Sequence, residues 1–301
     1  MAPRLSLISS FAILALAASA AASPQTWTES LVGVSNVASP GGITSLDIVS
    51  GNGPLTTATA SQSFTGEDRN GATQTMTFSG VTKNSAEFGR LHSYTEGHLT
   101  NSYYNASNPV YANGGGGVAD PNGSPDSLAS LGFAGFDDTL QFGGSLSAGY
   151  KARYVFHVDG TNSGMGYLAD LAVKIGTDAD ESFFAFDPGF NVANWATTSH
   201  DVDGINPTDI HVQFSNQVVF DAFNLSDGTN ADGISDFSAT LTLAGIVMFD
   251  ASGHVVPTSD WTVTSASGTV YNKLNAVPEP AGLASLAIGT LALLSRKRRA
   301  K

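Results

Sequence analysis

His92, Tyr94, Glu96 and His98 occupy alternate positions of the chain. Residues two apart in a β-strand share a face, so a strand over 91–99 would project all four side chains together. Imidazole and carboxylate are ligands for zinc and other transition metals. A solvated strand face would carry the same four residues, and Gly97 places a turn signal among them. Oxygen donors gather elsewhere: Asp120, Asn122, Ser124 and Asp126; Asp178, Asp180 and Glu181; Asp201 and Asp203; and Asp227, Asn230, Asp232 and Asp236. Hard oxygens at close spacing suit Ca²⁺, and Asp227, Asn230, Asp232 and Asp236 form the candidate Ca²⁺ site. None of the clusters completes an EF-hand loop. Asp and Asn also favour turns through their own side-chain hydrogen bonds, which accounts for the same residues without a metal.

Signatures of covalent or acid–base catalysis fall short. Ser145-Leu146-Ser147-Ala148-Gly149 has serine where a nucleophile elbow requires its first glycine. The chain has no cysteine, which removes a thiolate nucleophile, a thiolate zinc site and a disulfide framework together. Paired carboxylates for glycoside hydrolysis can come from distant strands, and spacing alone does not address them. No catalytic residue is assigned, and no enzyme is expected. Trp27, Trp195 and Trp261 are the only tryptophans, with Tyr103, Tyr104 and Tyr111 beside a glycine-rich stretch. They would form a sugar-stacking platform if several shared one exposed face. Core packing uses aromatic residues equally well.

The elements that must position these residues read as strands. Positions 150–158 alternate, with Tyr150, Ala152, Tyr154, Phe156 and Val158 on one face. Further strands are expected over 73–78, 168–175, 210–219, 237–249 and 261–271. Turn signals separate them: Asp159-Gly160, Asp187-Pro188-Gly189, Asp203-Gly204, Asp227-Gly228, Asp232-Gly233 and Ser252-Gly253. No segment between the two ends sustains a helical period. Many short strands with Gly, Asp and Asn turns predict an all-β, antiparallel β-sandwich of jelly-roll type. Residues 23–53, rich in small side chains, are expected as an exposed lead-in. Residues 105–125, with four consecutive glycines, are expected as a long loop.

The two ends differ from this body. Arg4 is the only charge in the first 28 residues, and an apolar stretch over 5–17 leads into Ala18, Ser19, Ala20, Ala21 and Ala22. This is the pattern of a secretory signal helix over 1–22 with cleavage after Ala20 or Ala22. At the other end Val277-Pro278-Glu279-Pro280 precedes an apolar run over 281–294 and then Arg296, Lys297, Arg298, Arg299 and Lys301. Fourteen apolar residues span roughly 21 Å as a helix, short for a ~30 Å hydrocarbon core. Basic side chains that snorkel, and a bilayer that thins, make up the difference. The basic cluster keeps its end cytoplasmic, giving a type I layout with the body outside.

This tripartite order resembles the PEP-CTERM sorting signal, over residues 277–301 together with the N-terminal signal. The resemblance implies export through the inner membrane of a Gram-negative bacterium and processing by an exosortase, a membrane-embedded cysteine protease. Pro278, Glu279 and Pro280 would be its recognition motif, 281–294 the transmembrane helix, and Arg296, Lys297, Arg298 and Arg299 the membrane stop. Two prolines cannot both sit inside a helix, so the motif is extended, as a protease requires of a bound strand.

Composition limits what the body at 23–276 does. Of 301 residues 42% are apolar and 13% charged, too apolar for a disordered chain. Setting aside Arg4, the five tail cations and Glu279, 25 acidic residues face 7 basic ones, a net charge of −18. Such a surface repels phosphates, so nucleic acid is excluded as a partner. The expectation is an exported, non-catalytic envelope or extracellular-matrix protein, ending at the cell surface or in the matrix, with extracellular polysaccharide a candidate partner. The alternatives are a carbohydrate-binding or adhesive module and, third, a secreted hydrolase.

Overall fold

The structure, a computed structural model, describes residues 24–35, 43–51, 55–68, 70–103, 127–146, 148–185, 192–221 and 225–276. The expected signal helix, the whole sorting signal, the glycine-rich stretch with Tyr104 and Tyr111, the cluster from Asp120 to Asp126 and the Asp187-Pro188-Gly189 turn lie outside them. Fifteen strands and no helix occur among the described residues, and none of these forms a helix long and apolar enough to cross a membrane. The expected all-β, antiparallel class is therefore observed.

One sheet runs β2 (Ile43–Gly51), β1 (Gln25–Ser35), β6 (Ser127–Gly144), β12 (Thr208–Asp221), β8 (Tyr167–Ile175) and β9 (Glu181–Ala185), with β14 (Trp261–Ser265) pairing the end of β6. The other runs β10 (Val192–Ala196), β7 (Lys151–Gly164), β13 (Ala231–Phe249), β5 (Arg90–Thr100), β4 (Thr73–Glu87) and β3 (Thr56–Glu67). There β11 (His200–Asp201) pairs β7, and β15 (Lys273–Leu274) pairs β13 in the one parallel ladder among the described residues.

Alternation explains which side chains meet. Phe136, Leu140, Phe142, Val212 and Phe214 of the first sheet join Leu91, Tyr154, Phe156, Phe237 and Leu241 of the second in one buried cluster. Phe214 and Phe237 touch edge to face at 5.1 Å between centroids. A second cluster gathers Val32, Met76, Phe78, Leu99, Val218 and Phe220. Buried polar side chains also line the interior. Ser93 donates to Asn84, which donates to Ser30 and to the carbonyl of Glu29; Asn216 donates to the Ser235 carbonyl, and Ser235 donates to Asn162. The sheets approach closely beside these groups: a Cβ on Gly132 would sit 2.5 Å from Asn84 Oδ1, and one on Gly80 would sit 2.1 Å from Ser130 Oγ.

Four local expectations are corrected. Residues 25–35 and 43–51 of the supposed lead-in are strands, and β1 is flanked on both sides, by β2 and β6. In β1 the small side chains of Thr28 and Ser30 are buried, as a crowded interior requires. Asp159-Gly160 does not end a strand but lies within β7. Opposite it β13 bulges, the register jumping from Asp236↔Thr161 to Thr240↔Asp159. Glycine is required because a Cβ at 160 would lie 2.3 Å from the Phe237 ring. Asp232-Gly233 likewise lies inside β13, paired with His98-Gly97, so Gly97 marks a close approach and not a turn. Finally, the strand expected over 261–271 stops at Ser265 and turns at Gly268, whose φ is +78°.

Candidate functional site

Strand β5 alternates strictly. Leu91, Ser93, Thr95, Gly97 and Leu99 are buried, whereas Arg90, His92, Tyr94, Glu96 and His98 face outward. The expected row of chemistry-bearing side chains therefore exists on one face, and Arg90 extends it by one position. Neighbouring β13 sets Asp232 beside His98 and Asp236 beside Tyr94.

Hydrogen bonds join most of these groups. His98 Nδ1 donates to Asp232 Oδ1 at 2.7 Å and Nε2 to Glu96 Oε1 at 2.6 Å. Tyr94 donates its hydroxyl to Glu96 Oε2 at 2.6 Å, and Lys83 Nζ stands 5.7 Å from the Tyr94 ring centroid. The bond to Asp232 is the main cause that raises His98 above its ordinary pKa, with Glu96 adding to it against partial burial. Burial, then the bond to Glu96, pushes the Tyr94 phenol up. His92 and Asp236 serve the bulge. His92 Nδ1 donates to the Ser238 carbonyl at 2.8 Å, and Asp236 accepts from the Ser238 amide and hydroxyl. These side chains bond to one another and do not converge on a common point. Among the described residues no group of three or more His, Asp and Glu side chains is arranged to hold a metal ion.

The candidate Ca²⁺ residues are accordingly divided. Asp232 and Asp236 lie on the outer face of β13 with the partners just named. Asp227 lies at the turn before it, and Asn230 Oδ1 accepts from the Asn101 amide. The cluster at 178–181 has another role. His200, buried beneath the Tyr154 ring, donates Nδ1 to Asp178 at 2.7 Å. Its Nε2 lies 2.8 Å from Glu181 Oε1, off hydrogen-bond alignment. Glu181 also accepts from the amide and hydroxyl of Thr198. These residues tie the β8–β9 connection of one sheet to β11 of the other.

Three further carboxylates passed unnoticed among sequence signals. Asp137 accepts from His211 and Gln25; burial opposes its charge, but those two bonds leave its pKa lowered. Buried Asp138 accepts from the Ser267 amide and hydroxyl and from Tyr271 at 2.8 Å, fastening the turn after β14 to β6. Asp170 has one carboxylate oxygen buried without a hydrogen-bond partner, and burial raises its pKa to about 6. No local motif announced them, because their partners come from distant strands.

The tryptophans do not form a shared platform. Trp261 is fully buried, Trp195 packs between Phe156 and Phe183, and Trp27 stacks on His211. Tyr103 is buried as well. A groove of about 450 Å³ lies instead at the Arg90 end of the outward row, between the β4–β5 turn, β13 and residues 269–272. Among the described residues its lining includes the carboxylate of Glu87 and the guanidinium of Arg90. No protein-family model matches the chain, and neither a curated protein nor a solved structure matches it.

Proposed function

We propose that this chain is an exported cell-envelope or extracellular-matrix protein of a Gram-negative bacterium, sorted by an exosortase, with a structural or interaction role and no catalysis of its own. The order of Pro278-Glu279-Pro280, the apolar run over 281–294 and the cluster from Arg296 to Arg299 carries this reading. The parallel pairing of β15 with β13 supports it, since the body is closed off at Leu274 just before the motif begins. In this reading the two sheets form a jelly-roll-like β-sandwich outside the inner membrane, with the last helix spanning it in type I orientation. Glu279 lies at the outer surface between two prolines, where the backbone is extended. The basic cluster stops the span from sliding through, since each charge moved into hydrocarbon costs ~2.5–3.5 kcal/mol on insertion scales.

Two sets of substitutions test the assignment by different failures. P278A, E279A and P280A together should leave uncut protein in the inner membrane. R296S, K297S, R298S and R299S together should weaken retention and release uncut protein outward. Fractionation that finds the alanine variant cut and delivered normally would remove the sorting role from these residues.

A second reading, a carbohydrate-binding or adhesive module delivered the same way, is favoured by the polar row on β5 and the groove at its end. Ca²⁺ on Asp227, Asn230, Asp232 and Asp236 belongs to either reading; it requires Asp232 to exchange His98 for the ion.

A further inference from the structure

We propose that the groove beside Arg90 binds a negatively charged sugar residue, a uronate unit of an acidic polysaccharide, with the Arg90 guanidinium holding the sugar carboxylate. This deepens the carbohydrate-binding reading and is independent of the sorting signal.

The first observation is the disposition of the cations. Lys151 pairs with Asp201 and Lys174 with Asp180. Lys273 donates to the carbonyls of Thr258 and Trp261. Arg153 bonds Ser199 and lies over the Phe249 ring, and Lys83 lies over Tyr94. Arg90 alone among the described cations has no ion pair, hydrogen bond or aromatic ring. Its register partner across the hairpin is Glu87, yet the two form no ion pair. In a body of charge −18 a cation left unpaired beside a carboxylate is unusual, and this one lines a groove.

The second observation is the chemistry of that groove. Thr242 and Thr269 bring hydroxyls, Phe88 an aromatic ring and Asn272 an amide whose nitrogen also donates to the Ala244 carbonyl. Arginine presents a planar fork that meets a carboxylate through two parallel hydrogen bonds. Glu87 would repel a carboxylate on its own side but accept bonds from sugar hydroxyls. The two lips therefore orient a uronate, with acid toward Arg90 and hydroxyls toward Glu87, Thr242 and Asn272. A simple anion would make no use of the threonine hydroxyls, and a neutral sugar would leave the guanidinium unused.

The groove is also held in shape. The β4–β5 turn places Gly89 at φ +78°, and a Cβ there would lie 3.2 Å from the Tyr271 ring. The Gly89 carbonyl accepts from the Leu243 amide. Tyr271 is anchored in turn through its hydroxyl to buried Asp138. Both walls are thus fixed to strands, and little ordering remains to oppose binding.

Titration calorimetry on the full chain in detergent, with chelator present, tests this using tetragalacturonate and its methyl ester. Chelator prevents a bridging cation from replacing Arg90. The free acid should bind at least tenfold more tightly than the ester. R90Q should lose at least tenfold for the acid alone, R90K should fall between, and K83Q, elsewhere on the same face, should bind like wild type. An unchanged melting temperature for R90Q shows that the loss is local. Equal binding of acid and ester would overturn the uronate assignment while leaving a carbohydrate site. Equal loss in K83Q and R90Q would reduce the effect to general charge and overturn it too. Absence of binding by either sugar overturns both the uronate site and the carbohydrate-binding reading; the sorting assignment stands or falls separately, on fractionation.

Discussion

His98 bridges two carboxylates on different strands, and this makes its charge part of the fold. Asp232 on β13 and Glu96 on its own strand each stand within hydrogen-bond distance of a ring nitrogen, and both accept when the ring is protonated. Its pKa is raised in the folded protein. A raised histidine stabilises below its unfolded value, near 6.5, and that stabilisation is lost as pH rises through the higher folded value. H98Q should therefore lower the melting temperature more at pH 5.5 than at pH 9, with the gap closing between. His98 is partly exposed to solvent, so the effect should be modest and fall with added salt. A loss identical at both pH values would show that the ring acts only by packing.

Strand β13 carries its irregularity where function-like residues gather. The bulge after Asp236 is held from two sides, by Asp236 on the Ser238 amide and by His92 on the Ser238 carbonyl. It sets Phe237 fully buried against Phe214. Gly160 on β7 makes this arrangement possible, because only a residue without a Cβ leaves space for the Phe237 ring. Overpacking at such a site costs about 1–3 kcal/mol. G160V should destabilise by that order in urea denaturation, with loss of the upfield ring-shifted signals of the Phe214–Phe237 pair. A change within ~0.5 kcal/mol would mean that the strands separate there without cost. By the same logic His92 and Asp236 are bulge residues first, which explains why their alternation with Tyr94 and Glu96 resembles a ligand set.

Across the whole molecule, acidic side chains far outnumber basic ones, and most described cations already have protein partners. Self-repulsion opposes the compact state and is screened over ~10 Å at 0.1 M salt. Raising NaCl from 50 to 500 mM should increase the melting temperature by a few degrees. CaCl₂ at matched ionic strength separates screening from a site, since an ion bound only by the native state adds to stability by mass action. A surplus over NaCl that disappears in D236N would place an ion at Asp227, Asn230, Asp232 and Asp236. Equal curves would leave those residues to turns, the bulge and His98.

The sequence by itself pointed to the all-β class, through the alternation at 150–158, the regular turn signals and the scarcity of helical periods. It also established that His92, Tyr94, Glu96 and His98 would share a face if 91–99 formed a strand, since period two is a property of any strand; that the strand runs through Gly97 came from the structure. Only the tertiary structure decided what that face does, because the partners of these residues, Asp232 and Ser238, are more than a hundred positions away and arrive through strand register. The same holds for Asp138 with Tyr271, and across a shorter interval of 22 positions for His200 with Asp178. Gly160, Gly97 and Gly233 carry turn signals in the chain, yet serve as places where a ring or another backbone comes close. That distinction lies in the opposing strand and not in the glycine. Buried Ser30, Asn84, Ser93, Asn216 and Ser235 weakened the alternation along their strands, and their partners, Thr56 and Asn162 among them, come from other strands once the sheets have met.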